Sequence, residues 1–309
     1  MPRKVILDMD PGYSDAVALC VALAAEELDV VAVTATGGNV GPKLTSRNVQ
    51  AIIEQLDPKR WPRIGGASPD QILRTDARHL HGEDGLCGAN FQVAELANRH
   101  MSVKVLGDEI RRAPGDITLI ATGPMSNVFD LLRYDPDLAS QIGHLIMCGG
   151  AVAAPGDVTP SAEFNIYCDS EAAKQVFGSP VTKTLIPLDV TRNVMLTFDF
   201  LERLKKRDSR TSNLLQRILP GAYRSARQHL GVEGVYVNDA VAVVAAMRPS
   251  LFTIERMYGD VETAGTLTHG ATVFDRRPNS VEQPNIDVAM EMDAAAVEAV
   301  IVQTLESAP

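Results

Sequence analysis

An alternation of short apolar runs with helical segments constrains this chain more than anything else in it. Val5-Ile6-Leu7 passes through the polar turn Asp8-Met9-Asp10-Pro11-Gly12 into a long Ala/Leu/Val helix from about Ser14 to Glu27. A second β-branched run, Val30 to Thr34, follows. Strand, helix, strand in so few residues demands a parallel pair joined by a right-handed crossover. The pattern continues with a helix from Thr45 to Leu56, a strand from Ile117 to Ala121, a helix from Ser126 to Leu132 and a strand from His144 to Met147. A helix from Ser170 to Phe177 and a strand from Thr184 to Ile186 come next. Helices then dominate from Phe200 to Gln228 and from Asp239 to Met247. Tyr258 to Val273 reads as a late β excursion and Asp293 to Leu305 as a closing helix. This order predicts an α/β fold with an open, doubly wound, mostly parallel sheet flanked by helices. No Pro/Ser-rich linker, charge block or repeat divides the chain, so residues 1–309 are expected to form a single domain.

Composition narrows the partners. With 45% hydrophobic residues the chain can bury a sizeable core. Its 39 acidic residues outnumber 29 basic ones, and the net charge of −10 repels a phosphate backbone, so nucleic acid is not expected as a partner. A small neutral substrate or a metal cation fits better. No apolar run approaches the roughly 18 residues of a membrane span, and no signal-like segment stands at the start, so no membrane partner and a cytoplasmic location are expected. Cys20, Cys87, Cys148 and Cys168 show no CxxC spacing and read as free thiols.

In an open α/β sheet the ligand sits outside the carboxyl ends of the strands. The residues just after each apolar run are unusually polar here. Asp8, Asp10 and Asp15 follow the first, Gly37-Gly38-Asn39 the second, Thr122-Gly123-Pro124 with Ser126 and Asn127 the third, and Gly149-Gly150 the fourth. Asn238-Asp239 opens a distant helix. Taken singly, Asp15 and Asp239 are first-turn helix caps, and Asp10 and Asn39 are turn residues. Gathered on one rim, the carboxylates repel one another unless a cation or a shared proton compensates. An oxygen-rich site without His or Cys at ligand spacing favours calcium or magnesium over zinc or copper.

The segment Asp8-Met9-Asp10-Pro11-Gly12-Tyr13-Ser14-Asp15-Ala16 resembles the amino-terminal DxDxGxDD signature of nucleoside hydrolases of the inosine-uridine type. Seven further segments follow in family order: Thr36-Gly37-Gly38-Asn39-Val40, His81-Gly82-Glu83-Asp84-Gly85, Thr122-Gly123-Pro124-Met125-Ser126-Asn127, Val158 to Asn165, Pro187-Leu188-Asp189-Val190-Thr191, Asn238 to Val243, and Gly270 to Asp275. The resemblance implies a calcium-dependent N-ribohydrolase that cleaves the bond between ribose and base, acting as a homodimer or homotetramer. It implies calcium held by Asp10, Asp15, Asp239 and the backbone carbonyl of Ser126, with Asp10 also the general base for the attacking water. Asn39, Glu163, Asn165 and Asp239 match the family's sugar-binding positions, and the cleavage passes through an oxocarbenium-like state that nearby carboxylates stabilise.

Four positions depart from the family pattern. Ser14 replaces the first aspartate of the DD pair, and Asn238 replaces a histidine associated with protonating the leaving base. Asp157 stands where asparagine is usual and Cys148 where methionine often precedes the Gly-Gly. All four are expected on the substrate side. His81, Tyr223, His229 and Tyr236 are the side chains left to assist the leaving base; His81 has the best motif context as a catalytic group, and Tyr223 lies where relatives flank the base pocket. Ser14 and Asn238 also motivate a second reading, a calcium-dependent nucleoside- or ribose-binding protein with little or no turnover. The Asp8-Met9-Asp10 turn is similar to that of haloacid dehalogenase-like phosphatases as well, but Gly12 stands where their pattern wants threonine or valine.

Overall fold

The computed structural model describes residues 2–94 and 99–309. Its strands are β1 (Arg3–Met9), β2 (Leu28–Ala35), β3 (Arg63–Gly66), β4 (His100–Met101), β5 (Thr118–Ala121), β6 (His144–Cys148), β7 (Lys183–Ile186), β8 (Met195–Thr197), β9 (Gly234–Tyr236), β10 (Phe252–Val261), β11 (Thr272–Asp275) and β12 (Ile286–Met292). Among the described residues, ten of them form one sheet in the order β11-β10-β12-β7-β6-β5-β1-β2-β3-β4, and β8 pairs with β9 apart from it. All neighbours from β12 to β4 run parallel; β10 and β11 are antiparallel. This is the expected doubly wound α/β fold, and its central strands read as nearly unbroken apolar runs because helices cover both faces.

The functional consequence lies at β1. The chain leaves β1 for β2, β3 and β4 on one side and returns to β5 on the other. That reversal opens a crevice at the carboxyl ends of β1 and its neighbours. The loops leaving these strands are tied side by side: the amide of Thr36 donates to the Met9 carbonyl at 2.9 Å and that of Thr122 to the Asp8 carbonyl at 2.8 Å.

Helix Tyr13–Ala24 follows β1 and is buried from Tyr13 through Ala22. A helix apolar all round needs neighbours on every side. It packs against helices Asn238–Met247, Ala294–Ser307 and Arg210–Leu230, and this contact carries Asp239 to Asp15 although 224 positions separate them in sequence.

Some boundaries differ from expectation for identifiable reasons. The helical stretch from Phe200 to Gln228 is two helices, Phe198–Leu204 and Arg210–Leu230, because Ser209 accepts the Ser212 amide at 3.2 Å and starts the second. The late β segment is the β10–β11 hairpin, and residues 262–271 loop out between the strands, where the Glu262 carboxylate takes the amides of Ala264 and Gly265. Helix Ser102–Arg112 and the short strands β3 and β4 extend the expected pattern. No described helix is long and apolar enough to cross a membrane.

Leu19 is fully buried at the centre of helix Tyr13–Ala24. Leu19→Ala is expected to lower folding stability by about 2–5 kcal/mol, measured by urea denaturation. A loss under about 1 kcal/mol would contradict this packing.

Candidate active site

The turn between β1 and helix Tyr13–Ala24 delivers Asp10 and Asp15. Asp10 Oδ2 accepts the Asn39 amide at 2.7 Å, and Asn39 Nδ2 donates to the Asp10 carbonyl at 2.9 Å. Asp15 reaches back to the Gly12 amide at 3.0 Å, the bond of an ordinary first-turn cap. It also accepts the Thr122 hydroxyl at 2.9 Å and Asn39 Nδ2 at 3.3 Å. Capping and site membership therefore coexist in one carboxylate. Asp10 is wrapped so closely that a Cβ on Gly38 would lie 2.0 Å from its Oδ2, and one on Gly123 2.7 Å from its Oδ1.

Asp239 joins from the first turn of helix Asn238–Met247, its amide donating to Ser14 Oγ at 3.2 Å. Ser14 thus links the two helices. Beyond Thr122 the network continues: Asn165 Nδ2 donates to the carbonyls of Thr122 at 2.7 Å and Cys148 at 3.0 Å. Glu163 caps the turn Phe164–Cys168, its Oε2 taking the amides of Ile166 at 3.1 Å and Gly150 at 2.9 Å. Asp10, Asp15 and Asn39 from the strand ends, together with Ser14, Asp239, Asn165, Cys148 and Glu163, thus fall in one region.

Asp10, Asp15 and Asp239 are all buried, and among the described residues no Lys or Arg side chain pairs with them. Burial, then the charges of Asp15 and Asp239, holds Asp10 well above the usual carboxylate range. Burial and the Asp15 charge do the same to Asp239, and burial pushes Asp15 up to about 6. Burying an ionised carboxylate costs several kcal/mol even after relaxation, whereas a cap bond returns about 1 kcal/mol. Capping does not offset such a cluster. A hard divalent cation suits these donors, which are all oxygen and retain unused lone pairs. Among the described residues no group of three His, Cys, Asp or Glu side chains is by itself arranged to hold a metal ion. Carbonyl, water or substrate oxygens must therefore complete any coordination sphere.

The remaining expected residues divide. Ser126 begins helix Ser126–Tyr134 and gives its hydroxyl proton to Asp169 at 2.5 Å. Asp157 is exposed and accepts the Phe164 amide at 2.8 Å, anchoring the loop that presents Glu163. Among the described residues, Asn238 Oδ1 is buried without a hydrogen-bond partner. Cys148 is buried, and burial followed by the Asp239 charge pushes its thiol up. His81 accepts the Tyr13 amide on Nδ1 at 3.2 Å and stacks on the Tyr13 ring. Burial lowers its pKa to about 3, so near neutrality it is an uncharged imidazole supporting the turn rather than a cationic proton donor. Tyr223 donates its hydroxyl to the Thr197 carbonyl at 2.8 Å and stacks on Phe198; these contacts give it a packing role outside the network.

Other residues, among them Asp8 and Asn127 from the strand-end set, support the site. Asp8 Oδ1 takes the Thr34 hydroxyl at 2.6 Å and Asn127 Nδ2 at 2.8 Å, and Oδ2 is buried without a partner. Burial pushes Asp8 up to about 7 against those two bonds. Gln71 holds the Gly37 amide at 2.7 Å and the Thr36 hydroxyl at 3.0 Å from a distant loop. Asp189 gathers the amides of Val152, Ala153 and Ala154. A hydroxyl inside the apolar run Val30 to Ala35 of β2 was a usable signal for Thr34. Nothing local marks Gln71.

These shifts set a pH dependence. Burial raises Glu163 to about 8 and Asp8 to about 7. A carboxylate raised on folding stabilises the folded state fully below its unfolded pKa, and that contribution is lost as pH rises through the folded value. In chelator the thermal midpoint is therefore expected to fall from about pH 5 to about pH 8, and added calcium to restore more at the higher pH. A flat profile, or a calcium effect larger at low pH, would contradict the assignment.

Comparisons with known proteins identify the family to which this fold belongs. The family model described as inosine-uridine preferring nucleoside hydrolase matches residues 5–299. The chain is 36% identical over 308 residues to the non-specific ribonucleoside hydrolase RihC of Salmonella agona, covering 99% of this chain and 98% of that protein. It is 34% identical over 313 residues to the pyrimidine-specific ribonucleoside hydrolase RihA of Klebsiella pneumoniae, covering 99% of each. Among solved structures, a plant nucleoside hydrolase superposes with a TM-score of 0.89 at 29% identity, over 99% of this chain and 100% of the other. Whole-length similarity in sequence and fold, with the acidic cluster in the switch-point crevice, shows that the chain belongs to the inosine-uridine preferring nucleoside hydrolase family.

Proposed function

We propose that this protein hydrolyses the N-glycosidic bond of ribonucleosides, releasing ribose and free base, with calcium as its ion. The observation that carries the reading is the buried trio Asp10, Asp15 and Asp239 in a chain of this family. Asp10, Asp15 and Asp239 would hold calcium together with the Ser126 carbonyl. When bound, the ion supplies Lewis acidity, lowering the proton affinity of the attacking water and balancing the carboxylate charge.

Asp10 would act as the general base that takes a proton from the attacking water. Its Oδ2 is fixed by the Asn39 amide, so the base is held in one orientation before substrate arrives. Asn39, Glu163, Asn165 and Asp239 grip the ribose hydroxyls. Glu163 engages protein through Oε2 and keeps Oε1 for a sugar hydroxyl. Asn165, fixed through both bonds of its amino group, keeps its carbonyl oxygen. As the bond to the base lengthens, positive charge grows on the sugar, and the surrounding carboxylates stabilise it.

The leaving base is less well served. Asn238 has no titratable proton near neutral pH, and buried His81 is neutral. Bases that leave readily without a protein acid are therefore the expected substrates. The named relatives are non-specific and pyrimidine-specific hydrolases, so uridine and cytidine belong beside inosine in the first assays. The unpartnered Asn238 Oδ1 and the uncharged Ser14 favour a second reading, a nucleoside-binding protein with little turnover. Chromatographic detection of free base separates the two: release that chelator abolishes establishes the hydrolase, and nucleoside binding without release establishes the binder.

Two variants test the mechanism. Asp10→Ala is expected to lower kcat by a factor on the order of 10³ or more while far-UV circular dichroism stays unchanged; full turnover would remove Asp10 from the base role. Asn238→His is expected to raise kcat on poorly activated bases by about 10-fold or more. No gain would mean that protonation of the leaving base does not limit the rate.

A further inference from the structure

Residues 82–90 form a loop that the proposed chemistry does not use, yet it is built with unusual specificity. Its backbone takes positive φ at Gly82, Gly85, Cys87, Gly88 and Asn90. Cys87 and Asn90 are not glycines, so the loop needs something to hold it in this form. The Asp84 carboxylate lies at its centre: Oδ1 accepts the amides of Leu86 at 3.0 Å and Gly88 at 2.9 Å, and Oδ2 that of Asn90 at 2.9 Å. Three charge-assisted bonds from one side chain fold the segment around it.

The loop bears on the turn that carries Asp10 and Asp15. Asn48 Nδ2 bridges the Asp84 carbonyl at 2.8 Å and the Pro11 carbonyl at 3.3 Å. His81, whose carbonyl accepts the Cys87 amide at 2.7 Å, holds the Tyr13 amide. Pro11 and Tyr13 flank Gly12, whose amide binds Asp15. On its other side the loop is backed by one stripe of helix Arg210–Leu230. Arg217 donates to the Ala89 carbonyl at 2.9 Å and lies 3.9 Å from the Phe91 ring centre. A Cβ on Gly221 would fall 2.3 Å from the Cys87 carbonyl oxygen, Ser225 donates to the His79 carbonyl at 3.0 Å, and His229 meets His79 edge to face. Residues four apart share a helix face, so the loop is wedged between one face of this helix and the turn.

We propose that Asp84 is a positioning residue for the cation-binding turn: the loop it folds, braced by Gly221 and its neighbours, sets Pro11 and Tyr13 and through them the carboxylates of Asp10 and Asp15. Asp84 itself touches neither substrate nor cation. Catalytic groups must be held to within about 0.5 Å, and a misplacement of about 1 Å can cost 10²-fold in rate. Displacing the loop therefore changes turnover and cation affinity together.

This inference rests on the hydrolase reading of the site. The test compares wild type with Asp84→Asn, Asp84→Ala and Gly221→Ala, measuring calcium affinity by titration calorimetry without substrate, then kcat and KM for a cleaved ribonucleoside. Asp84→Ala is expected to weaken calcium binding about tenfold and to lower kcat by about 10- to 100-fold, with a smaller change in KM. Asp84→Asn keeps an oxygen for Leu86 and Gly88 but loses the acceptor for Asn90, and falls between. Gly221→Ala, which presses on the loop from the helix side, moves the same two quantities in the same direction and keeps the test open if Asp84→Ala does not fold. Folded variants with wild-type kcat and calcium affinity, even at a lower melting temperature, overturn the inference alone. A wild type that neither binds calcium nor releases base overturns the hydrolase reading with it.

Discussion

Mutual repulsion among three buried carboxylates is the constraint from which the rest of the site follows. Asp10, Asp15 and Asp239 reach one crevice from two helices and a turn, and burial and their own charges keep Asp10 and Asp239 poorly disposed to ionise. A fold tolerates such a cluster when a ligand compensates it. The surrounding structure looks arranged for that ligand. Asn39 and Thr122 fix the carboxylates, and Gly38 and Gly123 let two loops close on Asp10.

The sheet supplies the place. Because the chain reverses direction across the sheet at β1, the polar ends of β1, β2 and β5 lie next to one another. The apolar helix Tyr13–Ala24 then brings Asp239 in by packing alone, with the Ser14 hydroxyl registering the two helix starts. Ser14 lacks the charge of the aspartate that the family pattern has there, but in this position it makes a bond that joins two parts of the site.

Much of this was legible in the sequence. The alternation of elements gave the doubly wound sheet, and the rule that ligands collect at strand ends singled out Asp10, Asp15, Asn39 and the Thr122 segment before any coordinates. What it did not reveal depends on contacts across the fold. Tyr223 has the composition of a pocket residue, but its hydroxyl goes to Thr197. His81 has the composition of an acid, but its ring is buried and its Nδ1 taken by a backbone amide. Asp84 looks like one more acidic loop residue until its three amide partners are seen. A motif gives residue types and order; which lone pairs are already occupied is decided by tertiary structure.

The central claim, that the acidic cluster exists to hold a divalent cation, is tested most directly by calcium titration calorimetry in two buffers of different ionisation enthalpy near pH 7. Carboxylates that retain protons in the cation-free protein must give them up on binding, so the account predicts saturable binding at one site with net proton release that shrinks as pH rises. Absence of binding, or binding with no proton release at any pH, would contradict it.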